Sequence, residues 1–480
     1  MTALDLQAAA ERKAQKDLAQ TPQKHRFDPT ILREYDVRGI VGSTLFVEDA
    51  YALGRAFASM VRPRGARRLA VGYDGRLTSA DLAAALVRGI CDAGLDVAEI
   101  GCGPSPMLYF ATHHLEVQGG IMVTGSHNPP EYNGFKMSFG KAPFFGEEIQ
   151  CLGRLAAAGT FESGEGRAVG EPVFDAYVAR IFQDYEAKRP LKVAWDMGNG
   201  AAGEVVQALT ARLPGKHILL NETIDGTFPA HHPDPTVPAN LAQLRETVLE
   251  AGCDLGIAFD GDADRIGLVD ETGAILWGDQ IMLLLARDVL QHQPGAPIIA
   301  DVKASQVLFD GIAAAGGQPI MWKTGHSVIK AKMAELQSPL AGEMSAHIFF
   351  ADRYYGYDDA VYAAVRVLNI LGSGAESLSA FRLSLPKVVN TPEIRFPCAE
   401  DRKVEVVEEV RARLAATGAK VIDIDGVRVQ TDDGWWLLRA SNTQDVLVAR
   451  CESADEAGLE RLKAMVAEQL RASGLEPPAI

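Results

Sequence analysis

Cysteines, long apolar runs and a surplus of basic residues are scarce or missing in this sequence, and each scarcity excludes a class of protein. The 6 cysteines are scattered without a Cys-x-x-Cys pair, so we expect neither a zinc site nor a disulfide framework. No purely apolar run exceeds about six residues, far below the ~20 that a membrane helix needs. Residues 1–26 lack the apolar segment of a secretory signal. We therefore expect a soluble protein of the reducing cytoplasm.

The charge balance is acidic. The 480 residues include 47 Lys and Arg against 63 Asp and Glu, and the formal net charge is −16. Such a charge repels nucleic acid and anionic lipid, because both are bound through Lys and Arg that neutralise phosphates. We therefore expect no nucleic acid and no membrane among the partners. An anionic small substrate would have to be bound by a local basic pocket.

One unit of strand, polar turn and helix occurs three times along the chain. Each copy begins with an apolar strand that ends in an aspartate, at Asp74, Asp196 and Asp301. Short apolar strands that alternate with helices predict βαβ units and largely parallel sheets. The simplest interpretation of Asp74 and Asp196 is that each caps the helix that follows it.

The pattern changes after Leu385. Two alternating apolar segments, Val421–Val429 and Trp435–Ala440, flank a tight turn, and a strand at 446–451 and a helix at 454–472 follow. Strands joined by tight turns and followed by a helix predict an antiparallel α+β module. The fold class is therefore α/β, with three similar α/β domains of mixed, largely parallel sheets and a smaller C-terminal α+β domain.

Three carboxylates follow the apolar strand at 255–259, at Asp260, Asp262 and Asp264. Carboxylates this close repel one another, and such loops commonly share a hard divalent cation such as Mg²⁺. An EF-hand is excluded because its sixth position must be glycine and is Arg265 here. A phosphatase of the Asp-x-Asp type would have Thr or Val where Asp264 stands. The loop therefore predicts a magnesium site.

A serine and a histidine, Ser126 and His127, follow the apolar strand at 120–123 on a turn that ends in Pro129. A serine hydrolase would require glycine two residues before and two residues after the serine, where this sequence has Thr124 and Asn128. A plain turn remains an alternative for this motif alone. The carboxylate loop favours a hydroxyl that accepts phosphoryl groups, because phosphoryl transfer depends on a metal and cations more than on a base.

Two further runs combine polar groups at close spacing. Glu343, Ser345 and His347 alternate, so in an extended or looped backbone they share one face and can bind sugar hydroxyls and a reacting oxygen. The run at 439–444 offers Arg439, hydroxyls and an amide, a set that is typical of anion binding. Each run is weak evidence alone, and the combination is not.

Together these four motifs closely resemble the α-D-phosphohexomutase superfamily, specifically its bacterial phosphomannomutase/phosphoglucomutase group, over roughly residues 26–475. They correspond in order to its phosphoserine, metal, sugar and phosphate loops, and Glu34-Tyr35-Asp36-Val37-Arg38-Gly39 matches a further motif near the start. The resemblance implies four domains around a central cleft. We expect an N-terminal extension (1–25) and domains at 26–171, 172–274, 275–386 and 387–480.

The sequence departs from the family pattern at two positions. Gly125 stands where alanine is common, and Ala346 stands where enzymes that act on both mannose and glucose usually have glycine. His347 and Met344 still resemble that dual group more than mutases dedicated to glucose or glucosamine. The preference between mannose and glucose is therefore left open.

The resemblance implies reversible phosphoryl transfer between the 1- and 6-positions of mannose and glucose phosphates. A phosphoserine at Ser126 and a hexose 1,6-bisphosphate, which is also the expected activator, are the implied intermediates. Mg²⁺ is the implied cofactor, with Ser126 and the three aspartates as its ligands and Arg265 nearby. Hexose phosphates are the implied partners, and the chain is expected to be a monomer or a weak homodimer.

The resemblance also assigns the remaining site residues. The implied catalytic residues are Arg38, Ser126, His127, Lys136 and His347. The implied substrate-binding residues are Tyr35, Lys303, His326, Glu343, Ser345, Arg439, Ser441, Asn442 and Thr443. Which cationic or imidazole group is the general base stays open. Two alternatives also stay open, a metal-dependent sugar phosphomonoesterase and a non-catalytic protein that binds sugar phosphates.

Overall fold

Four β-sheets follow one another along the chain, in the order in which the sequence predicts its domains. The computed structural model describes residues 24–374, 376–442 and 444–477, with the backbone alone at position 400. The predicted extension at 1–25 and the site residue Thr443 fall largely or wholly outside the described residues. Within those ranges, no helix combines the length and apolar character that crossing a membrane requires.

The first sheet has seven strands in the order β1-β5-β4-β2-β3-β7, with β6 beside β5. Its strands are β1 (Val37–Ile40), β2 (Arg68–Tyr73), β3 (Asp96–Cys102), β4 (Gly119–Val123), β5 (Tyr132–Phe139), β6 (Ala142–Pro143) and β7 (Ala168–Gly170). Its α-helices are Val47–Val61, Ser79–Asp92, Ser105–His114 and Glu147–Ala158, with a short 3-10 turn at Pro29–Ile31. Strands β2, β3, β4 and β7 are parallel, whereas β5 runs antiparallel to β4 and β1.

The second sheet has five strands in the order β12-β11-β10-β8-β9. They are β8 (Leu191–Asp196), β9 (Gly215–Leu220), β10 (Leu255–Phe259), β11 (Ile266–Asp270) and β12 (Ile275–Leu276). The helices around it are Phe174–Gln183, Gly203–Thr210 and Ala242–Ala251, with a 3-10 turn at Pro238–Leu241. Strands β9 and β10 flank β8 in parallel, and β11 returns antiparallel to β10.

The third sheet has four strands in the order β14-β13-β15-β16. They are β13 (Pro297–Asp301), β14 (Gln318–Trp322), β15 (Leu340–Gly342) and β16 (Ile348–Phe350). Its helices are Gly278–His292, Gln306–Ala314, His326–Leu336, Ala360–Ser373 and Leu378–Ser384. Strands β14 and β15 flank β13 in parallel, and β16 returns antiparallel to β15.

The three sheets share one arrangement. A central strand (β2, β8 or β13) has a parallel neighbour on each side, and one neighbour (β4, β10 or β15) continues through a loop into an antiparallel strand. Those three loops are the predicted phosphoserine, metal and sugar loops. All three leave the carboxyl end of a parallel strand, so they occupy equivalent places in their sheets. Residues of all three loops line one cleft.

The capping interpretation of Asp74 and Asp196 is wrong. The helices that follow begin after Thr78 and Ala202, and neither aspartate lies at the N-cap position. Both side chains are buried and turn instead toward neighbouring loops of their sheets. The reason is distance along the chain: several residues separate each aspartate from the first residue of its helix, so neither can be the residue that precedes the helix, although Asp74 still accepts from the Ser79 side chain.

The fourth sheet is antiparallel, in the order β17-β22-β21-β20-β19 with β18 beside β22. Its strands are β17 (Val389–Asn390), β18 (Ile394–Pro397), β19 (Lys420–Ile422), β20 (Val427–Thr431), β21 (Gly434–Ala440) and β22 (Val446–Ser453), with helices at Glu400–Thr417 and Glu456–Ala472. The single segment predicted at 421–429 is two strands that pair with each other. Gly426, at φ 84°, lies in the turn between them and takes a conformation that glycine adopts readily.

One arginine joins the fourth sheet to the third. Arg428 donates from Nη1 to the carbonyls of Val302 and Ala304, at 2.6 and 2.8 Å, and its guanidinium lies 3.7 Å from the ring centre of Trp435. Its side chain is buried, so these hydrogen bonds and the cation–π contact are well screened from water. This contact fixes the C-terminal module beside the loop that carries Lys303.

Candidate active site

A cleft of about 940 Å³ lies between the loops of the four sheets. Fourteen of the residues predicted for the site line it, namely Tyr35, Arg38, Ser126, His127, Lys136, Arg265, Lys303, His326, Glu343, Ser345, His347, Arg439, Ser441 and Asn442. The three aspartates of the metal loop are fully buried. The structure thus brings together residues from across more than 400 positions of sequence. Thr443 lies outside the described residues.

The serine loop leaves β4 and presents Ser126 in a left-handed conformation, at φ 49°. Non-glycine residues rarely adopt this conformation, and they keep it only when their surroundings hold them there. The Ser126 hydroxyl lies 3.1 Å from Asp260 Oδ2 and 3.2 Å from His127 Nδ1. The predicted serine and the predicted metal loop are therefore in direct contact.

Arg76 was not predicted from the sequence, and it holds the serine loop through the loop's backbone carbonyls. Its guanidinium donates hydrogen bonds to four loop carbonyls, at Ser126, Asn128, Pro129 and Tyr132. Arg38 adds hydrogen bonds to the Gly125 carbonyl, at 2.5 Å, and to the Asn128 side chain, at 2.6 Å. The signal in the sequence was an arginine two positions after a strand-ending aspartate, which is too common to identify such a role.

The metal loop offers one oxygen from each aspartate to a common point. Asp260 Oδ1 accepts the backbone N–H groups of Asp264 and Arg265, and Lys136 Nζ binds Asp262 Oδ2 and Asp264 Oδ2 at 2.6 and 2.5 Å. Asp262 Oδ1 and Asp264 Oδ1 are buried and accept no hydrogen bond from the described residues, although His347 Nδ1 lies 3.5 Å from Asp264 Oδ1. One oxygen from each of the three carboxylates lies within 4.8 Å of the others. Such a set of hard oxygen donors fits a small divalent cation.

Burial and mutual repulsion shape the protonation of these groups. Burial, together with the charges of Asp264 and Asp262, raises the pKa of Asp260 well above its usual value. Burial alone would lower the pKa of Lys136, but the two aspartates that it contacts raise it well above the usual value, so the ammonium stays charged. A bound cation would offset the burial and the repulsion that raise the pKa of Asp260.

The sugar loop joins β15 to β16 and carries the three alternating residues. Glu343 is buried and accepts the backbone N–H of Gly325 at 2.8 Å, and Ser345 is partly exposed to the cleft. Burial raises the pKa of Glu343. Ala346 takes φ 66°, a left-handed conformation in which a side chain costs about 1–2 kcal/mol relative to glycine. Glycine would therefore fit this position without strain.

His347 is held at both ring nitrogens. Nε2 lies 3.0 Å from Arg265 Nε, which can only donate, and Nδ1 lies 3.0 Å from Asp358 Oδ2. These contacts fix the tautomer: a neutral ring here would carry its proton on Nδ1 and its lone pair on Nε2. Asp358 was not predicted, and its only sequence signal is its place in a polar turn before a helix. Lys330 in turn pairs with Asp358 at 3.0 Å.

Two further histidines of the cleft, His127 and His326, have lowered pKa values. Burial and then the charge of Arg265 lower the pKa of His127 well below its usual value. Burial and then Lys330 lower the pKa of His326 in the same direction. Neither ring can therefore serve as a standing positive charge for a phosphate, and that task falls to Lys and Arg side chains.

The fourth sheet brings its loop against the first and third. Asn442 Nδ2 donates to the Tyr35 hydroxyl at 2.7 Å, and that hydroxyl donates to the Thr324 carbonyl at 2.8 Å. Arg439 pairs with Asp425 through Nε and Nη2, both at 3.0 Å. These contacts close the ring of loops around the cleft. The fork of Arg439 is therefore already oriented by a carboxylate.

Comparison with known proteins identifies this arrangement. The models of phosphoglucomutase/phosphomannomutase alpha/beta/alpha domains I, II and III match residues 29–152, 175–273 and 277–388, and that of the C-terminal domain matches 393–469. The chain is 43% identical over 443 residues to the phosphomannomutase/phosphoglucomutase of Pseudomonas aeruginosa, covering 92% of this chain and 96% of the relative. It is 42% identical over 437 residues to a phosphoglucomutase of Neisseria meningitidis, covering 90% and 95%.

Solved structures agree. A phosphoglucomutase/phosphomannomutase family protein from Burkholderia thailandensis superposes with a TM-score of 0.88 at 41% identity, covering 93% of this chain and 98% of that one. The fold and site define a phosphohexomutase, an enzyme that acts on sugar phosphates as an isomerase. The chain belongs to the phosphoglucomutase/phosphomannomutase family and has the function of a hexose phosphate mutase.

Proposed function

We propose that this chain interconverts the 1- and 6-phosphates of both mannose and glucose through a phosphoserine at Ser126 and a hexose 1,6-bisphosphate. The observation that carries the proposal is the 3.1 Å contact of Ser126 Oγ with Asp260 Oδ2, beside two more buried carboxylates. A hydroxyl in this setting is suited to carry a phosphoryl group, because nearby cations neutralise the charge on its oxygens.

The proposed cycle consists of two transfers. In the first, O1 of a hexose 6-phosphate attacks the phosphorus on Ser126, so the O1–P bond forms and the P–Oγ bond breaks. The sugar hydroxyl gives its proton to a base, and Oγ takes up a proton. The bisphosphate then turns over in the cleft, and Oγ attacks the 6-phosphate, losing its proton while O6 gains one. Hexose 1-phosphate leaves and the phosphoserine is restored.

We assign the role of proton acceptor to His347. A general base needs a lone pair, and the contact of Nδ1 with Asp358, at 3.0 Å, supports the tautomer that has the lone pair on Nε2. Arg265, 3.0 Å from Nε2, would have to yield this nitrogen to the sugar hydroxyl. Arg38 and Lys136 carry fixed positive charge and suit the phosphoryl oxygens better than a proton.

Mg²⁺ is the proposed metal. Asp260, Asp262 and Asp264 would hold it with an oxygen of the group on Ser126. When bound, it supplies positive charge next to the phosphoryl oxygens. The protein's own part is carried by Lys136, which binds one oxygen of Asp262 and one of Asp264 and so turns the other oxygen of each toward the shared point.

Glu343 and Ser345 are proposed to bind the 3- and 4-hydroxyls of the sugar, with Lys303 and His326 beside them. These two hydroxyls occupy equivalent places before and after the sugar turns. Mannose and glucose differ only at the 2-position, which this pair does not bind. Acceptance of both sugars follows from that arrangement.

The proposed anchor for the distant phosphate is the loop of the fourth sheet, with Arg439, Ser441, Asn442 and Thr443 as its residues and Tyr35 as its neighbour. An arginine fork and turn amides suit a phosphate that is held but does not react. We further propose that the chain works in the cytoplasm as a monomer or weak homodimer, with no nucleic acid or membrane as partner, in keeping with its net charge of −16.

The proposal is tested by supplying mannose 1-phosphate and glucose 1-phosphate in parallel, with a trace of hexose 1,6-bisphosphate and Mg²⁺. We expect both to be converted to their 6-phosphates with comparable kcat/KM, because the sugar contacts avoid the 2-position. Small amounts of hexose 1,6-bisphosphate should be released from the enzyme into solution. Release of inorganic phosphate in step with substrate loss would contradict the mutase cycle and indicate hydrolysis.

Replacing Arg439 by alanine is expected to raise KM for the 1- and 6-phosphates by similar factors, about 10- to 100-fold, because each uses the same anchor in one orientation. Hydrogen bonds to charged groups contribute about 1.5–3 kcal/mol each. More bisphosphate should also escape during turnover. Steady-state kinetics in both directions measures the two factors.

The matched control for this prediction is Arg461→Ala in the same module. Arg461 is 56% exposed and pairs with Asp433, so its loss should leave both KM values unchanged. A defect of Arg439→Ala for only one of the two phosphates would contradict a shared anchor.

A further inference from the structure

Two of the three aspartates that end the central strands contact a loop of the candidate site. Asp74 directly follows the last residue of β2 and contacts the serine loop, and Asp301 ends β13 and contacts the sugar loop. We propose that both are positioning residues, Asp74 for the phosphoryl carrier and Asp301 for the sugar contacts. The inference rests on the proposed function, in which Ser126 carries the phosphoryl group and Glu343 binds the sugar.

Both carboxylate oxygens of Asp74 are surrounded by donors. Oδ1 accepts the backbone N–H of Arg76 at 3.0 Å and the Ser79 hydroxyl at 2.5 Å. Oδ2 accepts the Thr124 hydroxyl at 2.7 Å and the backbone N–H of Gly125 at 3.1 Å. The side chain is 2% exposed, so water cannot replace these bonds. Asp74 therefore ties the start of the serine loop to its own strand.

The connection continues to the serine itself. Thr124 donates to Asp74, and its oxygen accepts the backbone N–H of Ser126 at 2.8 Å. Asp74 Oδ2 also lies 3.3 Å from Arg76 Nε, and Arg76 holds the loop carbonyls. Ser126 thus keeps its left-handed backbone because its N–H and its carbonyl are both held by groups that Asp74 orients.

Asp301 plays the corresponding part for the sugar loop. Oδ1 accepts the backbone N–H of Met344, the residue between Glu343 and Ser345, at 2.9 Å, and Oδ2 accepts the Thr324 hydroxyl at 3.1 Å. The segment after Thr324 donates a backbone N–H to Glu343. Asp301 is fully buried, and it links the two chain segments that set the position of Glu343.

In the part of the chain that the structure describes, the third aspartate makes no hydrogen bond to the metal loop. Asp196 accepts the backbone N–H of Gly198, the Asn221 amide at 2.9 Å and His231 Nε2 at 2.8 Å, none of which belongs to the metal loop after β10. The repeated unit therefore does not require its strand-ending aspartate to reach the loop of the neighbouring strand. The hydrogen bonds of Asp74 to the serine loop and of Asp301 to the sugar loop are therefore particular to those two sheets.

The two sites respond differently to asparagine. At Asp74 a backbone N–H faces each oxygen, so an amide leaves either Arg76 or Gly125 without an acceptor whichever way it turns. At Asp301 the amide oxygen can face the Met344 N–H while its NH₂ faces the Thr324 hydroxyl, which can accept. Asp74→Asn is therefore disruptive, whereas Asp301→Asn is conservative and Asp301→Ala is disruptive.

The first test compares kinetic constants with glucose 1-phosphate. Asp74→Asn should lower kcat about tenfold or more with KM within about threefold, because the carrier is misplaced while the sugar contacts are kept. Asp301→Ala should raise KM about tenfold or more with a smaller change in kcat. Asp301→Asn should restore KM to within about threefold of the natural chain.

Asp270→Asn is the control for the loss of a buried aspartate. Asp270 is 0% exposed and accepts from Thr272, Ala274 and Arg382, but it lies at the end of β11 that is farther from the metal loop. This variant should lower the melting temperature and leave kcat and KM within about threefold of the natural chain. If Asp74→Asn does not fold, Thr124→Val replaces it and should likewise lower kcat. If Asp301→Ala does not fold, Thr324→Val replaces it and should likewise raise KM.

Equal kinetic signatures for Asp74→Asn and Asp301→Ala, or constants no different from those of Asp270→Asn, would overturn the inference. Failure of Asp301→Asn to restore KM would overturn the role of Asp301. These outcomes are distinct from failure of the proposed function. That failure would show as retained turnover in Ser126→Ala, whereas the present inference can fail while Ser126→Ala is inactive.

Discussion

Replacing Ser126 by alanine is expected to lower kcat by at least about 1,000-fold, because Ser126 is the only proposed carrier of the phosphoryl group. Binding of hexose 6-phosphate should change little, since the anchor lies on the fourth sheet. The backbone at position 126 should also keep its left-handed conformation. Ala263 and Ala346 already adopt positive φ in this protein, at 57° and 66°, so alanine is tolerated in the conformation of Ser126.

Three measurements check this prediction: kcat, calorimetric binding of glucose 6-phosphate, and transfer of label from radioactive hexose bisphosphate to the protein. Ser338→Ala is the matched control. Ser338 is 1% exposed, and its hydroxyl donates to the carbonyls of Pro297 and Leu340. It lies just before β15, whereas the sugar loop follows the other end of that strand. The Ser338→Ala variant should still be labelled by hexose bisphosphate and should still be active. A Ser126→Ala variant with more than about a tenth of the natural rate, a barrier change of only ~1.4 kcal/mol, would exclude the covalent role.

Removing divalent metal with EDTA is expected to stop turnover without unfolding the protein, and added Mg²⁺ should restore it. Asp262 Oδ1 and Asp264 Oδ1 are buried and accept no hydrogen bond from the described residues, so the site suits a cation. The fold does not depend on that cation. Lys136 already neutralises part of the charge, and the sheets around the loop are closed by buried apolar residues.

Calorimetric unfolding with EDTA and with Mg²⁺ measures this prediction alongside activity. A cation at 100 times its Kd adds only about 2.7 kcal/mol of stability, which shifts the melting temperature of a chain this large by a few degrees. Asp262→Ala should lose both the Mg²⁺ shift and turnover, whereas Asp270→Asn should keep the shift. A collapse of the melting temperature on chelation would instead indicate a structural metal.

The arrangement of strands and helices was predictable because it depends on local patterns. Apolar strands such as those ending at Asp196 and Asp301 were located from composition alone, and the structure confirms both. The three similar α/β sheets and the smaller antiparallel module are confirmed too. The prediction of a single segment at 421–429 is wrong, because the alternation of side chains continues across the turn at Gly426 between two strands. The exact domain boundaries stay predictions.

The site was predictable where a motif concentrates its chemistry in one loop. Ser126 and the three aspartates stand out because few structures other than a metal-assisted site bring such groups together at that spacing. The roles of the remaining residues stay proposals. Arg76 and Asp358 were missed because a single buried arginine or aspartate has no sequence signature, and what makes it important is the set of carbonyls or the imidazole that it contacts.

The sequence by itself determined the repeated unit, the family and the residue types that carry the chemistry, since periodicity and motif spacing are local properties of the chain. Only the tertiary structure decided what each strand-ending aspartate does. Asp74, Asp196 and Asp301 are alike in sequence, yet among the described residues two bond the loop of a neighbouring strand that carries site residues, whereas Asp196 bonds Asn221 and His231 instead of the metal loop. The physical reason is that a hydrogen bond depends on which group lies within about 3 Å, and the packing of distant segments fixes that distance.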